Sequence, residues 1–271
     1  MLKFRILTAI ILIPVFLLLL FKLPPSWFCL ITGAVVLCGG WEWSSLMGIK
    51  NPWKKLIYPA ILLIVLCVSL RLYIPNVILA ALVWWLFSVV LIVIYPKASD
   101  TWGQGFLVRG LMGIMVLIPC WLAVNFIRNI PDNGIEILLF LFILIWGADI
   151  SAYFAGKWWG KNKLAPKVSP GKTWQGLIGA IVTTLIITLV TLSRIESPNL
   201  LWLGFCGLTV VTVLFSVVGD LFESMLKRKE NLKDSGRLLP GHGGILDRID
   251  SLTAAAPVFL CGALLLQKLF A

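Results

Sequence analysis

Apolar residues along this chain collect into runs of roughly 16 to 22. At 1.5 Å rise per residue, each run is long enough to cross a hydrocarbon core of about 30 Å as a helix. Lipid offers no partner to backbone amides, so a spanning run has to satisfy its own hydrogen bonds. The runs predict spans at about 5–21, 26–47, 55–71, 76–95, 106–127, 135–154, 174–193, 200–222 and 248–269. The expected fold is therefore all-α: a polytopic integral membrane protein of about nine transmembrane helices. A charged fraction of 13% agrees, since soluble domains carry about a quarter. A soluble DNA-binding protein and a secreted domain are both excluded. The net charge of +11 then reports orientation rather than nucleic acid, and no nucleic-acid partner is expected.

The six cysteines lie inside apolar runs and show no metal-binding spacing, so neither disulfides nor zinc are indicated. The first run follows Lys3 and Arg5 like a signal peptide. Lys22, Pro24, Pro25 and Trp27 stand where small cleavage-site residues would be needed, so it reads as an uncleaved span. With the N-terminus inside, eighteen Lys/Arg fall in inner segments and five (Lys22, Arg71, Arg128, Arg194, Lys268) in outer ones. That bias predicts a cytoplasmic N-terminus. Two inner loops exceed what topology requires. Residues 155–173 hold five lysines and no acid, and residues 223–247 hold Lys227, Arg228, Lys229, Lys233 and Arg237 with four acids. Residues 1–130 read as a scaffold of about five helices, and residues 131–271 as the catalytic region carrying both loops.

A carboxylate at bilayer depth costs on the order of 2.5–3.5 kcal/mol, so Glu42, Asp149, Asp220 and Asp250 all require partners. Asp220, Glu223, Ser224 and Lys227 fall at i, i+3, i+4 and i+7 on one helical stripe, and Asp247, Asp250 and Ser251 repeat the pattern entering the last span. Consecutive antiparallel spans bring these stripes to one membrane face, where paired carboxylates suit a hard cation. Oxygen ligands without cysteine or a histidine cluster favour Mg²⁺. Ion pairs with Lys227, Arg228 and Arg248 are the plainer alternative.

Between the stripes runs KRKENLKDSGRLLPGHGG, Lys227 to Gly244. Basic side chains supply charge to polyphosphate, and glycines such as Gly243 let backbone amides approach its oxygens. His242, the only histidine, suits a structural role or a phosphate contact better than a general base. The loop GKWWGKNKLAPKVSPGKTWQG, Gly156 to Gly176, follows Asp149 and Tyr153 and contains Ser169 and Lys172. It reads equally as an anchor with tryptophans at the headgroups or as a phosphate clamp.

The stretch S-M-L-K-R-K-E-N-L-K-D-S-G-R-L-L-P-G-H-G-G-I-L-D-R-I-D, Ser224 to Asp250, resembles the signature of the phosphatidate cytidylyltransferase (CDP-diacylglycerol synthase) family, matching every fixed position. Asp149 to Gly176 also resembles the family, departing at Gly171, where a basic residue is common, and at Gln175, where Glu is common. The resemblance covers residues 145–251 in detail. It implies a membrane enzyme joining CTP and phosphatidic acid to give CDP-diacylglycerol and pyrophosphate, using Mg²⁺, with a monovalent cation as a second candidate ion, and acting as a homodimer among membrane lipids. Carried onto this chain, it assigns Asp220 and Asp247 as metal ligands, with Asp149, Glu223 and Asp250 around them. Ser224, Lys227, Arg228, Lys233, His242 and Arg248 would contact phosphate, joined by Gly243, Lys172 and Ser169. Two rivals share parts of this equipment: a CTP-dependent kinase of a lipid alcohol, which would need a base for the hydroxyl, and a transporter of phosphorylated metabolites, which would carry matched broken helices at the midplane.

Overall fold

A computed structural model describes residues 14–97, 105–194, 199–236, 238, 241 and 243–270. Its helices are α1 (Pro25–Leu46), α2 (Pro52–Lys55), α3 (Ile57–Ser69), α4 (Ile74–Ile94), α5 (Phe106–Arg128), α6 (Gly134–Trp159), α7 (Trp174–Leu192), α8 (Asn199–Lys229) and α9 (Leu246–Phe270). Among the described residues, eight helical segments are long and apolar enough to cross a membrane, α2 and α3 together forming one of them. The ninth expected span lies mostly outside the described residues, and its remainder, 14–22, is helical. Predicted and observed boundaries agree closely except at the ends of α6, which continues past 154 to Trp159, and α8, which continues past 222 to Lys229. At 31 residues it measures about 46 Å, well beyond the ~30 Å core, so its last turns project from the membrane.

Prolines start α1 and α2 at positions whose amides have no helical partner. Asn51 caps α2 by accepting from the amides of Trp53 at 2.9 Å and Lys54 at 3.4 Å. The one sheet among the described residues is a two-stranded antiparallel hairpin, β1 (Lys163–Ala165) with β2 (Ser169–Thr173), inside the basic loop 155–173. Pro166 and Pro170 suppress helix there. Thr173 then ends the strand and begins α7, its Oγ1 accepting from the Gly176 amide at 3.1 Å.

Close helix crossings set where the polar residues meet. At Gly219 on α8 a Cβ would collide with the Asp250 carbonyl and crowd Ala254 of α9. Only a glycine lets those backbones touch, and the crossing places Asp220 beside the start of α9. Gly176 and Gly179 do the same for α7 against Ala152 and Ala155 of α6. The N-terminal helices lock together through Trp43 and Tyr58, whose ring N–H and hydroxyl donate to the carbonyls of Arg109 and Gly110 at 2.9 and 2.7 Å. Glycine at 113 leaves room for both rings.

Candidate active site

The ends of α6, α7, α8 and α9, closed on one side by the hairpin, surround a cavity of about 530 Å³. That volume lies within the usual range for small-molecule sites. Its wall carries four carboxylates, Asp149, Asp220, Asp247 and Asp250, together with Lys157, Lys172 and Arg248 and the hydroxyls of Tyr153, Ser169, Thr173 and Ser251. Acids and bases from sequence positions 149 to 250 thus converge on one space.

Two of these acids differ in how fully they are used. Asp220 accepts from Ser224 Oγ at 3.1 Å and forms an ion pair with Lys172 at 2.8 Å. Among the described residues, two donors on about four lone-pair positions leave roughly two open. Asp247 accepts from Lys227 Nζ at 2.7 Å, from the Gly244 amide at 2.8 Å and from the Ser235 amide, shared between its oxygens at 3.2 and 3.0 Å. Each Asp247 oxygen thus has two contacts, so it is the more fully engaged of the two acids. Asp250 receives the Ser251 amide at 2.7 Å, and Asp149 lies within electrostatic reach of Lys172, Asp220 and Arg248.

Several expected contacts stand behind this wall rather than on it. Glu223 is 2% exposed and Lys227 7%; they pair at 3.3 Å, and Lys227 also holds Asp247. Lys227 is thus occupied as a buried counter-charge, which leaves its ammonium engaged before any phosphate arrives. Ser224 is buried against Asp220. Arg228 donates to the carbonyls of Val168 at 3.3 Å and Leu232 at 3.4 Å, tying the hairpin to the loop after α8. Lys233 is exposed on that loop. None of these five is among the described residues lining the cavity. Gly243 has φ +81° and a Cβ there would strike Asp247, so the glycine is needed for both conformation and space. His242 lies outside the described residues.

The two departures from the family pattern acquire distinct meanings. Gly171 lines the cavity and a Cβ on it would meet open space, so the volume a basic side chain would use is free. Gln175 Oε1 accepts from the amides of Lys161 and Asn162 at 3.2 Å each, closing the loop onto α7 without a charge. The residue that sequence reasoning left in the scaffold is Glu42. It is 1% exposed, and it reaches the segment between α8 and α9.

Among the described residues no group of three or more Asp, Glu, Cys or His encloses a metal-sized point. The cavity acids still suit a cation that takes only part of its shell from protein, as Mg²⁺ does when phosphate oxygens and water complete it. Asp220 and Asp247 both face the cavity, and Asp220 has two contacts among the described residues, so it could add a cation that Asp247 would join by releasing Lys227 or an amide.

Comparison with known proteins agrees with this chemistry. A phosphatidate cytidylyltransferase of Pseudomonas aeruginosa is 47% identical over 265 residues, covering 96% of each chain. One of Haemophilus influenzae is 39% identical over 282 residues, covering 96% of this chain and 97% of its own. One of Staphylococcus aureus is 42% identical over 143 residues, about half of each chain. The model of the cytidylyltransferase family matches residues 3–265, and the chain belongs to that family.

Proposed function

We propose that the chain is a phosphatidate cytidylyltransferase, converting CTP and phosphatidic acid to CDP-diacylglycerol and pyrophosphate. The observation that carries this reading is one cavity where Asp149, Asp220, Asp247 and Asp250 meet Lys172 and Arg248. The reaction brings two polyanions together. Two unit charges 4 Å apart repel by about 4 kcal/mol at an effective dielectric of 20, and several such pairs arise here. Lys172 and Arg248, both on the cavity wall, would donate to phosphate oxygens. Lys172 leaves or shares Asp220 when phosphate enters, because its ammonium can turn among three donor directions. Mg²⁺ held by Asp220 and Asp247 would neutralise charge at the reacting phosphates; a monovalent cation remains a second candidate ion.

Phosphatidate supplies its own nucleophile. A phosphate monoester has a second pKa near 6 and is largely ionised at neutral pH, so the protein needs no general base. Its oxygen attacks the α-phosphorus of CTP in line, the bond to the β-phosphate oxygen breaks, and pyrophosphate leaves. Lys172 and Arg248 would hold the nucleotide phosphates, with the carboxylates of α8 and α9 acting on them through the cation they would bind, while the acyl chains stay among the membrane lipids.

The charge bias supports a cavity that opens to the cytoplasm, where CTP is available, and the bacterial relatives support an inner-membrane location. Single cysteines near Asn162 and Asn231 in a cysteine-free background test that: both should react with an impermeant thiol reagent only when the cytoplasmic face is open. A homodimer is the proposed assembly, supported by the family resemblance and testable by cross-linking in native membranes. The reaction itself is tested with purified protein, phosphatidate, Mg²⁺ and CTP labelled in the cytidine or in the γ-phosphate. Cytidine label entering the lipid fraction is expected. Only γ-phosphate label entering a lipid alcohol would identify a kinase instead.

A further inference from the structure

Glu42 lies on α1, in the half of the chain that carries no catalytic motif, yet its carboxylate reaches residues 193 and 204 positions away. Oε2 accepts from Ser235 Oγ at 3.1 Å and from the Leu246 amide at 2.9 Å. Oε1 is buried with no hydrogen-bond partner among the described residues. Gly236 and Gly244 pack directly on the carboxylate, so that a Cβ on either would overlap it. Ser235, Gly236, Gly244 and Leu246 therefore form a socket around this one side chain.

The same socket holds Asp247 from its other side. Ser235 gives its hydroxyl to Glu42 and its amide to Asp247; Gly244 presses its Cα on Glu42 and gives its amide to Asp247. Leu246 is the first residue of α9, where amides lack helical partners, so Glu42 caps that helix from another span. A second tie runs parallel: Arg109 of α5 donates to the Leu46 carbonyl at 2.9 Å and forms an ion pair with Glu230 just after α8. We propose that Glu42 is a positioning residue for the transfer reaction: by gripping Ser235 and the start of α9 it fixes the direction in which Asp247 and Arg248 enter the cavity. This inference rests on the cytidylyltransferase reading of that cavity.

The test compares Glu42→Ala, Glu42→Gln and Ser235→Ala in the full-length protein, with activity per folded enzyme and amide exchange of 235–250. Glu42→Ala should lower kcat about 10- to 100-fold, the usual cost of removing support behind a ligand-bearing group, with KM for phosphatidate within about twofold of the parent value. Glu42→Gln keeps an oxygen acceptor and should recover part of that loss. Exchange should accelerate at the start of α9 while α6 and α7 keep their protection. Ser235→Ala, a smaller change that preserves the fold, should reduce kcat less, and combined with Glu42→Gln it should cost less than the product of the single losses. Unchanged kcat in Glu42→Ala, faster exchange throughout all helices, or independent losses in the double variant would each overturn the proposal. Absence of cytidylyl transfer by the parent protein would instead refute the reaction, and the local exchange effect would still report on the socket.

Discussion

Glu42 in the N-terminal helices and Asp220 in the C-terminal ones are both carboxylates on membrane-spanning helices, and each has two donors. Glu42 receives a hydroxyl and a backbone amide inside a closed socket; Asp220 receives a hydroxyl and a lysine at the wall of an open cavity. Neutral donors in a filled space make an acid a fastener. A lysine beside free volume would make it exchangeable, because the lysine could turn to a substrate phosphate and release the carboxylate to a cation. The difference lies in the surroundings rather than in the residue type, since an isolated acid in either helix would carry the same insertion cost.

The sharpest way to break this contrast is to remove the exchangeable acids. Asp220→Asn or Asp247→Asn should lower cytidylyl transfer about a thousandfold or more, since several kcal/mol of charge stabilisation go with an anionic ligand. Protein level in the membrane should stay near normal; near-normal turnover in either variant would remove these acids from the machinery. Lys172→Met, which removes the movable cation, should cost about a hundredfold in kcat/KM, read in the same assay, with Lys172→Arg retaining more. Gly219→Val tests the crossing that brings the two acidic helices together. A branched side chain against the Asp250 carbonyl should lower the thermal midpoint and cut activity about tenfold, overpacking of this kind costing roughly 1–3 kcal/mol. Smallest of the set, Thr173→Ala should destabilise the start of α7 by about 1 kcal/mol, measured by thermal unfolding in detergent, with Thr173→Ser close to the parent.

The contrast was only half legible in the amino-acid sequence. Span positions follow from apolar runs, and the helix spacing of Asp220, Ser224, Asp247 and Asp250 already points to one shared face. The hairpin of residues 163–173 carries no alternating apolar pattern, because its three apolar residues, Leu164, Ala165 and Val168, are scattered among lysines, prolines and short polar residues, and it lies in a stretch that reads as loop. Lys227 looks like a phosphate ligand from its motif, yet two acids, one of them 20 residues on, occupy it. Spacing cannot reveal which partner a long side chain reaches. Glu42 announces by its depth that it needs a partner, but nothing local names Ser235, 193 residues away. Gly171 and Gln175 look like weakened positions in the motif; in three dimensions one is open cavity wall and the other a loop fastener that needs no charge.

The central claim is that the cavity between α6 and α9 supports direct transfer of the cytidylyl group to a lipid phosphate, without a protein nucleophile. A single in-line displacement inverts configuration at phosphorus, whereas a cytidylyl-enzyme intermediate gives two inversions and net retention. CTP made chiral at the α-phosphorus by sulfur substitution, turned over with phosphatidate by the purified protein, reports which occurs. CDP-diacylglycerol analogue of inverted configuration is the predicted product. Retained configuration would contradict the account and would direct the search for a covalent residue to Ser224, Ser235 and His242.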